Sequence, residues 1–142
     1  MIRFTPLLLL VLLNVADDSL AQQRVDAKGI TAGVRLEEVI SGHLGDINSK
    51  FKFRVTELTF APGAYLGEHH HAGPGIRLVA SGKLTFVQAG KPTLYQAGDY
   101  FYESGNVVHT ASNKTKSPVR VIFIEVLPTQ WAGPSAIPPK AY

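Results

Sequence analysis

The sequence contains no cysteine among its 142 residues. No disulfide can therefore support the fold, and no thiolate can act as a nucleophile or a metal ligand. The net charge is only +3, and the basic residues are spread along the chain rather than interleaved with aromatic residues in a stripe. This distribution argues against a nucleic-acid-binding protein. After residue 21 the sequence also lacks an apolar pattern with a 3.6-residue period, which excludes substantial helix.

The N-terminal residues have the features of an export signal. Arg3 supplies a positive charge, the run Leu7–Leu13 is entirely apolar, and Ser19 and Ala21 are small residues at positions suited to cleavage. The apolar run is far shorter than the roughly 20 residues that a membrane-spanning helix needs. We therefore predict a signal peptide over residues 1–21, export to the periplasm or the medium, and no membrane attachment after its removal.

The rest of the chain alternates short apolar runs with glycine-rich turns, a pattern typical of a β-sandwich or β-barrel. The predicted domain covers residues 22–127, with its core in residues 51–127 and a polar lead-in over residues 22–33. Residues 128–142 contain four prolines, which disfavours pairing in a sheet and predicts an extended surface tail. The predicted strands are 35–40, 51–60, 76–81, 84–88, 100–103, 107–111 and 119–127.

One predicted strand, residues 51–60, shows two apolar faces in succession. Phe51, Phe53 and Val55 share one face, whereas Leu58 and Phe60 continue the apolar pattern in the opposite phase. We interpret this change as a β-bulge at Glu57, a feature that lets barrel strands curve.

Three histidines form the strongest candidate site. His69 and His71 are separated by one residue, so on a strand they project from the same face while His70 points away. His109 follows 38 residues later and would come from a neighbouring strand. Three neutral imidazoles suit zinc, copper, iron or nickel and leave positions open for water or substrate. Three histidines without a metal are the alternative.

The glycines around these histidines make the pattern specific. The stretch Gly63-x5-His69-x-His71-x3-Gly75-x6-Gly82 resembles the first motif of the cupins, and Gly98-x5-Ser104-x-Asn106-x2-His109-x3-Asn113 resembles the second. The resemblance covers residues 51–127. It implies a small jelly-roll β-barrel with His69, His71 and His109 as metal ligands inside it.

The sequence departs from the cupin pattern at one important position. Gly75 stands where the family has a glutamate ligand, so the only expected anionic ligand is missing. Glu68 and Glu103 are possible substitutes. Glu68 is the poorer candidate because it should face away from His69, whereas Glu103 precedes the third histidine and is our candidate fourth ligand or second-shell acceptor. Arg77 would be able to bind a substrate carboxylate if it pointed inward.

The resemblance implies a divalent transition metal (Fe, Mn, Zn, Ni or Cu) and a small-molecule ligand or substrate, with no nucleic-acid partner. The first functional hypothesis is a metal-dependent enzyme, similar to the oxygenases among the cupins. The second is a module that binds a small ligand or metal without turnover, and a structural role ranks third. A homodimer is compatible with the resemblance, because cupins often form dimers.

Overall fold

The computed structural model describes residues 24–139, so the predicted signal peptide and the last residues of the tail lie outside the described part of the chain. Within that part no residue is helical, and no helix that would cross a membrane is found. The described strands are β1 (Ala27–Val39), β2 (Phe51–His71), β3 (Gly75–Ser81), β4 (Lys83–Gln88), β5 (Lys91–Gln96), β6 (Tyr100–Glu103), β7 (His109–Ser112), β8 (Val119–Pro128) and β9 (Ala136–Ile137).

The strands form one sheet that curls into a nearly closed barrel, which confirms the predicted fold class. Its order is β5-β4-β7-β2-β8-β3-β6, and β1 and β9 both pair with β2. Glycines make the tight connections between strands. Gly105, for example, has a φ of 91° and lies so close to Gly73 that an added Cβ would be 2.7 Å from the Gly73 carbonyl.

Several strands extend beyond the predicted limits. The lead-in segment is not irregular, because β1 begins at Ala27 and pairs with β2 over most of its length. β2 continues past its predicted end at residue 60 through Gly63, which takes a φ of 75° and donates its N–H to the Asn113 carbonyl. The tail also joins the sheet, since Ile137 and Ala136 of β9 pair with His70 and His71.

The first half of β2 shows that the predicted bulge at Glu57 is wrong. Residues 51–60 pair with β8 without a register shift, and Lys52 and Arg54 point into the barrel with 9% and 5% of their surface exposed. Phe53 on the opposite face is 42% exposed. The irregularity lies instead on β1, where the register shifts between Val34 and Leu36. The apolar residues at 51, 53 and 55 therefore lie outside.

The hydrophobic core lies inside the barrel and takes its buried residues from six of the nine described strands, with none from β1, β5 or β9. Aromatic side chains stack within it, with the Tyr95 and Phe101 ring centroids 4.0 Å apart and the Phe86 and Phe101 centroids 5.2 Å apart. The buried core residues are Leu58, Phe60, Ala64, Leu66, Val79, Leu84, Phe86, Phe101, Ala111, Val119, Val121 and Phe123.

Asn113 joins β2 to the loop that follows β7. Its side chain is 1% exposed, and its amide group donates hydrogen bonds of 3.0, 3.1 and 2.8 Å to the carbonyls of Phe60, Ala61 and Ser117. Its side-chain oxygen accepts the N–H of Thr115 at 2.9 Å. The asparagine that closes the second sequence motif therefore satisfies buried backbone groups.

We expect Asn113→Ala to destabilise the fold by about 2–3 kcal/mol, because it leaves these buried backbone groups without partners. The free energy of unfolding can be measured by urea denaturation. Lys114→Ala, at the exposed neighbouring residue, should change stability by less than about 0.5 kcal/mol. Equal effects of the two substitutions would contradict this role for Asn113.

Candidate metal centre

His69, His71 and His109 come together inside the barrel. One ring nitrogen from each lies within 4.8 Å of the other two, and the three side chains are buried, with 1%, 4% and 4% of their surfaces exposed. His69 and His109 are direct cross-strand partners on β2 and β7, and their ring centroids are 4.2 Å apart. His70 is not in the cluster, in agreement with the predicted alternation.

A phase change in β2 turns the first two histidines inward. Up to Leu66 every buried residue of β2 is even-numbered, whereas the buried residues from His69 on are odd-numbered. The β2–β7 register shifts between Leu66 and His69, which marks a β-bulge. Gly67 lies in the bulge and donates its N–H to the Asp26 carbonyl at 2.6 Å. A Cβ at Gly67 would be 2.8 Å from that carbonyl oxygen, so only glycine allows this approach.

The Nδ1 atom of each histidine has an acceptor beside it. His69 Nδ1 lies 2.7 Å from the Gly67 carbonyl and His109 Nδ1 lies 2.9 Å from the Val107 carbonyl. His71 Nδ1 lies 3.2 Å from a carboxylate oxygen of Glu125. An acceptor at Nδ1 holds a neutral imidazole in the tautomer whose Nε2 carries the lone pair. In this tautomer each of the three rings presents the lone pair of its Nε2 atom to a metal.

Two of the histidines are held in the uncharged form. Burial, together with the charge of the neighbouring His109, lowers the pKa of His69 to about 3. Burial also lowers the pKa of His109, against the opposing effect of the Glu103 carboxylate. Metal binding requires neutral imidazole, so the rings of His69 and His109 need no deprotonation at neutral pH.

Two glutamates lie beside the histidines, one on each side of Gly75. Gly75 is the cross-strand partner of Glu103 on β6 and of Glu125 on β8. The two carboxylate oxygens of Glu103 lie 3.2 Å from His71 Nε2 and 3.3 Å from His109 Nε2. The carboxylate that the sequence lacks at Gly75 is therefore present on the adjacent strand. Glu68, the other candidate, is exposed.

Glu125 is a site residue that the sequence analysis missed. It is 1% exposed and accepts the Ser135 hydroxyl at 2.6 Å. Its pKa is lowered overall, because the hydrogen bond from His71 and the charge of Arg77 outweigh the opposing effect of burial. One signal in the sequence could have indicated it. Glu125 is a single acidic residue in the most apolar predicted strand, and a carboxylate is rarely buried without a partner, so such a residue is a candidate for an internal site.

Arg77 does point inward, but it is paired with the protein's own carboxylates. Its Nη2 atom lies 2.6 Å from Glu103 and 3.1 Å from Glu125, and its guanidinium lies 4.2 Å from the centre of the Phe123 ring. A Cβ at Gly75 would collide with Arg77 Nη1 and lie 2.5 Å from the Ile124 carbonyl. Arg77 thus occupies the space beside Gly75 and neutralises part of the charge of the two glutamates.

Two openings adjoin the cluster. A cavity of about 330 Å³ touches His71 and Glu125 and lies between β1, β2, β8 and the tail; its other lining residues include Ala32, Thr56, Leu58, Leu66, Phe123 and Ser135. A smaller cleft of about 150 Å³ reaches Glu103 and His109 from the side of Tyr102. The 330 Å³ cavity, which is mostly apolar with a few polar groups, has a size that suits a small organic molecule.

Arg54 closes one side of the larger cavity and fixes the tail. Its Nη1 and Nη2 atoms donate to the carbonyls of Gly133 and Trp131 at 2.7 and 2.9 Å, and its Nε donates to Glu37 at 2.6 Å. The predicted surface tail is therefore a wall of the cavity. Trp131 itself donates to the Pro134 carbonyl at 3.1 Å, a contact within the tail.

Comparison with known proteins places this barrel in a family. Residues 56–125 match the family described as Cupin domain, a stretch that contains the three histidines and both glutamates. No curated protein gives a match to the sequence. Many solved structures do match the fold.

Three solved structures illustrate that similarity. A protein with a double-stranded β-helix domain from Klebsiella pneumoniae is 22% identical, with a TM-score of 0.56 over 84% of this chain and 93% of its own. A Cupin 2 conserved barrel domain protein from Salinispora arenicola is 19% identical, with a TM-score of 0.55 over 91% of both chains.

The third is an enzyme, the polyketide cyclase RemF from Streptomyces resistomycificus. It is 16% identical, with a TM-score of 0.55 over 76% of both chains. At these identities the structures establish the fold alone. The family match shows that residues 56–125 form a domain of the cupin superfamily, and the three structures share its fold.

Proposed function

We propose that this chain is an exported cupin that binds a divalent transition metal through His69, His71 and His109 and acts on a small organic molecule. The observation that carries the proposal is the convergence of three buried imidazoles, each with an acceptor beside Nδ1. We assign Glu103 as the fourth ligand, because it lies against two of the Nε2 atoms.

The donor set fits such a metal. Three neutral nitrogens and one carboxylate are typical ligands for iron, manganese, zinc, nickel or copper. His71 Nε2 is buried and forms no hydrogen bond of good geometry, although a Glu103 carboxylate oxygen lies 3.2 Å away, as is expected of a nitrogen and a carboxylate that would share a metal. The metal would polarise an oxygen atom of the bound molecule.

The residues of the chain have separate parts in this proposal. Glu125 and Ser135 orient His71 through its Nδ1. The apolar walls of the 330 Å³ cavity, such as Leu66 and Phe123, would exclude water from the bound molecule. Arg77 holds Glu103 in place through their 2.6 Å contact. The resemblance of the fold to that of a polyketide cyclase is compatible with catalysis on an organic substrate.

A second candidate function is binding without turnover. Arg54 and the tail wall off one side of the cavity, so a bound molecule would be well enclosed. Capture of a small molecule outside the cytoplasm would need the same cavity but no reaction at the metal. The two functions differ in whether the bound molecule is consumed.

We expect the natively exported protein to contain about one equivalent of metal per chain, and His69→Ala and His109→Ala to reduce it to below about 0.1, since each loses one of three imidazoles. Elemental analysis of the purified protein measures this and identifies the metal. His70→Ala is the matched control and should retain the metal. Equal loss in all three variants, or a metal-free wild type that binds none of the five metals by calorimetry, would contradict the site.

We expect Glu103→Gln to weaken metal binding by about 10–100-fold, because the substitution keeps the shape of the side chain but removes the charge beside His71 and His109. Competition with a chelator measures the affinity. Glu68→Gln, at an exposed residue of β2, should leave the affinity unchanged. An unchanged affinity in Glu103→Gln would remove Glu103 from the ligand set.

For the reaction, we expect the metal-loaded protein to consume oxygen with a member of a panel of small diketones, thiols and phenols. Ala32→Trp should abolish turnover while leaving metal content unchanged, since residue 32 lines the 330 Å³ cavity and lies on β1, which carries none of the candidate ligands. An oxygen electrode and elemental analysis provide the two readouts. Calorimetric binding of a panel member without its consumption would favour the binding module over the enzyme.

A further inference from the structure

The segment that follows β8 connects the large cavity with the histidine cluster. We call residues 131–137 the strap. Residues 132–136 line the 330 Å³ cavity, and the end of the strap pairs with β2, where Ala136 is the partner of His71. One segment therefore forms a wall of the cavity and lies against one of the three histidines.

Arg54 holds the first part of the strap. Its Nη1 and Nη2 atoms donate to the carbonyls of Gly133 and Trp131 at 2.7 and 2.9 Å. Apart from a turn contact between Trp131 and Pro128 at the end of β8, these are the only hydrogen bonds that join residues 130–134 to the strands in the described chain. The position of this part of the strap thus depends on one side chain, which is itself buried, with 5% of its surface exposed.

The contacts of Arg54 require an arginine. Its Nε atom donates to Glu37 on β1 at 2.6 Å, so the three nitrogens of its guanidinium have three separate acceptors. The guanidinium is rigid and planar, and each contact therefore constrains the other two. Lys52, two residues earlier on β2, lies 3.0 Å from the same Glu37 but makes no hydrogen bond to the strap in the described chain. Arg54 and Lys52 thus share a strand, a face and a partner, and differ in their contact with the strap.

The second part of the strap determines which nitrogen of His71 carries the hydrogen. Ser135 Oγ lies 3.2 Å from His71 Nδ1 and donates its own hydrogen to Glu125 Oε1 at 2.6 Å. Because Glu125 takes the hydroxyl hydrogen, the lone pairs of Ser135 Oγ are left for His71, which donates through Nδ1. The Ser135 hydroxyl thus selects the tautomer of His71 whose Nε2 has no hydrogen.

A second carboxylate competes for the hydrogen of His71. Glu103 Oε2 lies 3.2 Å from His71 Nε2, and a ring that donated to it would have no lone pair at Nε2 for a metal. A neutral imidazole has one ring hydrogen, so the better placed acceptor decides which nitrogen carries it. The Nδ1 atoms of His69 and His109 instead lie beside backbone carbonyls two residues earlier in the chain. The tautomer of His71 therefore depends on the strap, whereas the tautomers of the other two histidines do not.

Pro134 connects the two parts of the strap. It is the one residue between Gly133, whose carbonyl Arg54 holds, and Ser135. The proline ring fixes φ near about −65°, so few backbone rotations are available to absorb a shift of Gly133 before it reaches Ser135. Arg54 makes no hydrogen bond to a histidine in the described chain, and the strap is the link between them.

We infer that Arg54 is a positioning residue for His71 and acts through the strap. By holding the first part of the strap, it places the Ser135 hydroxyl between His71 and Glu125 and keeps His71 Nε2 free of hydrogen. Because residues 132–136 also line the cavity, a molecule bound there would contact the segment that sets the tautomer. The consequence for metal retention rests on the proposed function, whereas the tautomer is a property of the metal-free protein.

Nuclear magnetic resonance of the metal-free protein with ¹⁵N-labelled histidine measures the tautomer of each ring. We expect the Nδ1–H tautomer of His71 in the wild type, and we expect Arg54→Lys and Ser135→Ala to raise the population of its Nε2–H tautomer at least about threefold. Arg54 is the cross-strand partner of Glu125, and lysine keeps the positive charge beside that carboxylate. The substitution Arg54→Lys therefore tests the hold on the strap rather than the charge.

Three controls separate this effect from a general loss of structure. Lys52→Met, on the same face of β2, should leave the tautomer of His71 unchanged. Ser135→Thr keeps a hydroxyl and should retain the wild-type tautomer. The rings of His69 and His109 should keep their Nδ1–H tautomers in every variant, because their acceptors lie outside the strap.

The rate of metal release provides a second readout. With the zinc-loaded protein, we expect Arg54→Lys and Ser135→Ala each to raise the rate of zinc transfer to a chromogenic chelator by at least about tenfold. Because both substitutions break the same link, the double variant should release zinc within about twofold of the faster single variant, whereas independent effects would multiply.

An unchanged tautomer of His71 in Arg54→Lys, an equal change in Lys52→Met, or release rates that multiply in the double variant would overturn the inference. If the wild-type protein binds no metal, the proposed function fails, and the tautomer measurement still decides the role of Arg54. If Arg54→Lys does not fold, Glu37→Ala replaces it. The Glu37 side chain is 40% exposed, and loss of its contact with Arg54 Nε should shift the tautomer of His71 in the same direction.

Discussion

The phase change in β2 is the constraint on which the rest of the structure depends. The strand must bury Leu58, Phe60 and Leu66 in the core and then direct His69 and His71 into the same interior. Leu66 and His69 are three residues apart. A strand that alternates regularly and buries Leu66 would therefore turn His70 inward and His69 and His71 outward. The bulge at Gly67 resolves this conflict, and the Gly67 carbonyl also accepts the Nδ1 hydrogen of His69. One backbone irregularity therefore both places and orients the histidines.

Charge balance inside the barrel explains the absence of the family glutamate. Two buried carboxylates beside three histidines are costly to desolvate unless a cation lies between them. Arg77 supplies that cation, and its guanidinium requires the space that a side chain at residue 75 would occupy. Gly75, Arg77 and Glu103 form one linked arrangement, in which the carboxylate beside the histidines comes from β6 and not from β3.

The sequence was sufficient to predict the barrel and the three histidines. The glycines of the two motifs mark the turns between strands, and the positions of the histidines between those glycines match the spacing of metal ligands. It also indicated Glu103, which ends the short predicted strand 100–103 and directly precedes the turn of the second motif. It did not indicate Glu125 or the inward direction of Arg54, since both depend on which face of a strand lies inside. That choice was misjudged in β2 because apolar residues at Phe53 and Val55 normally mark the inner face.

Strand β6 lies between the candidate metal centre and the outer surface of the barrel. β6 has only four residues and, in the described chain, pairs with β3 alone, so its position depends on few backbone hydrogen bonds. It carries Glu103 on its inner side and Tyr100 and Tyr102 on its outer side. Short edge strands of this kind are among the first parts of a sheet to open. The position of Glu103 beside His71 and His109 therefore depends on the β3–β6 ladder and on its 2.6 Å contact with Arg77.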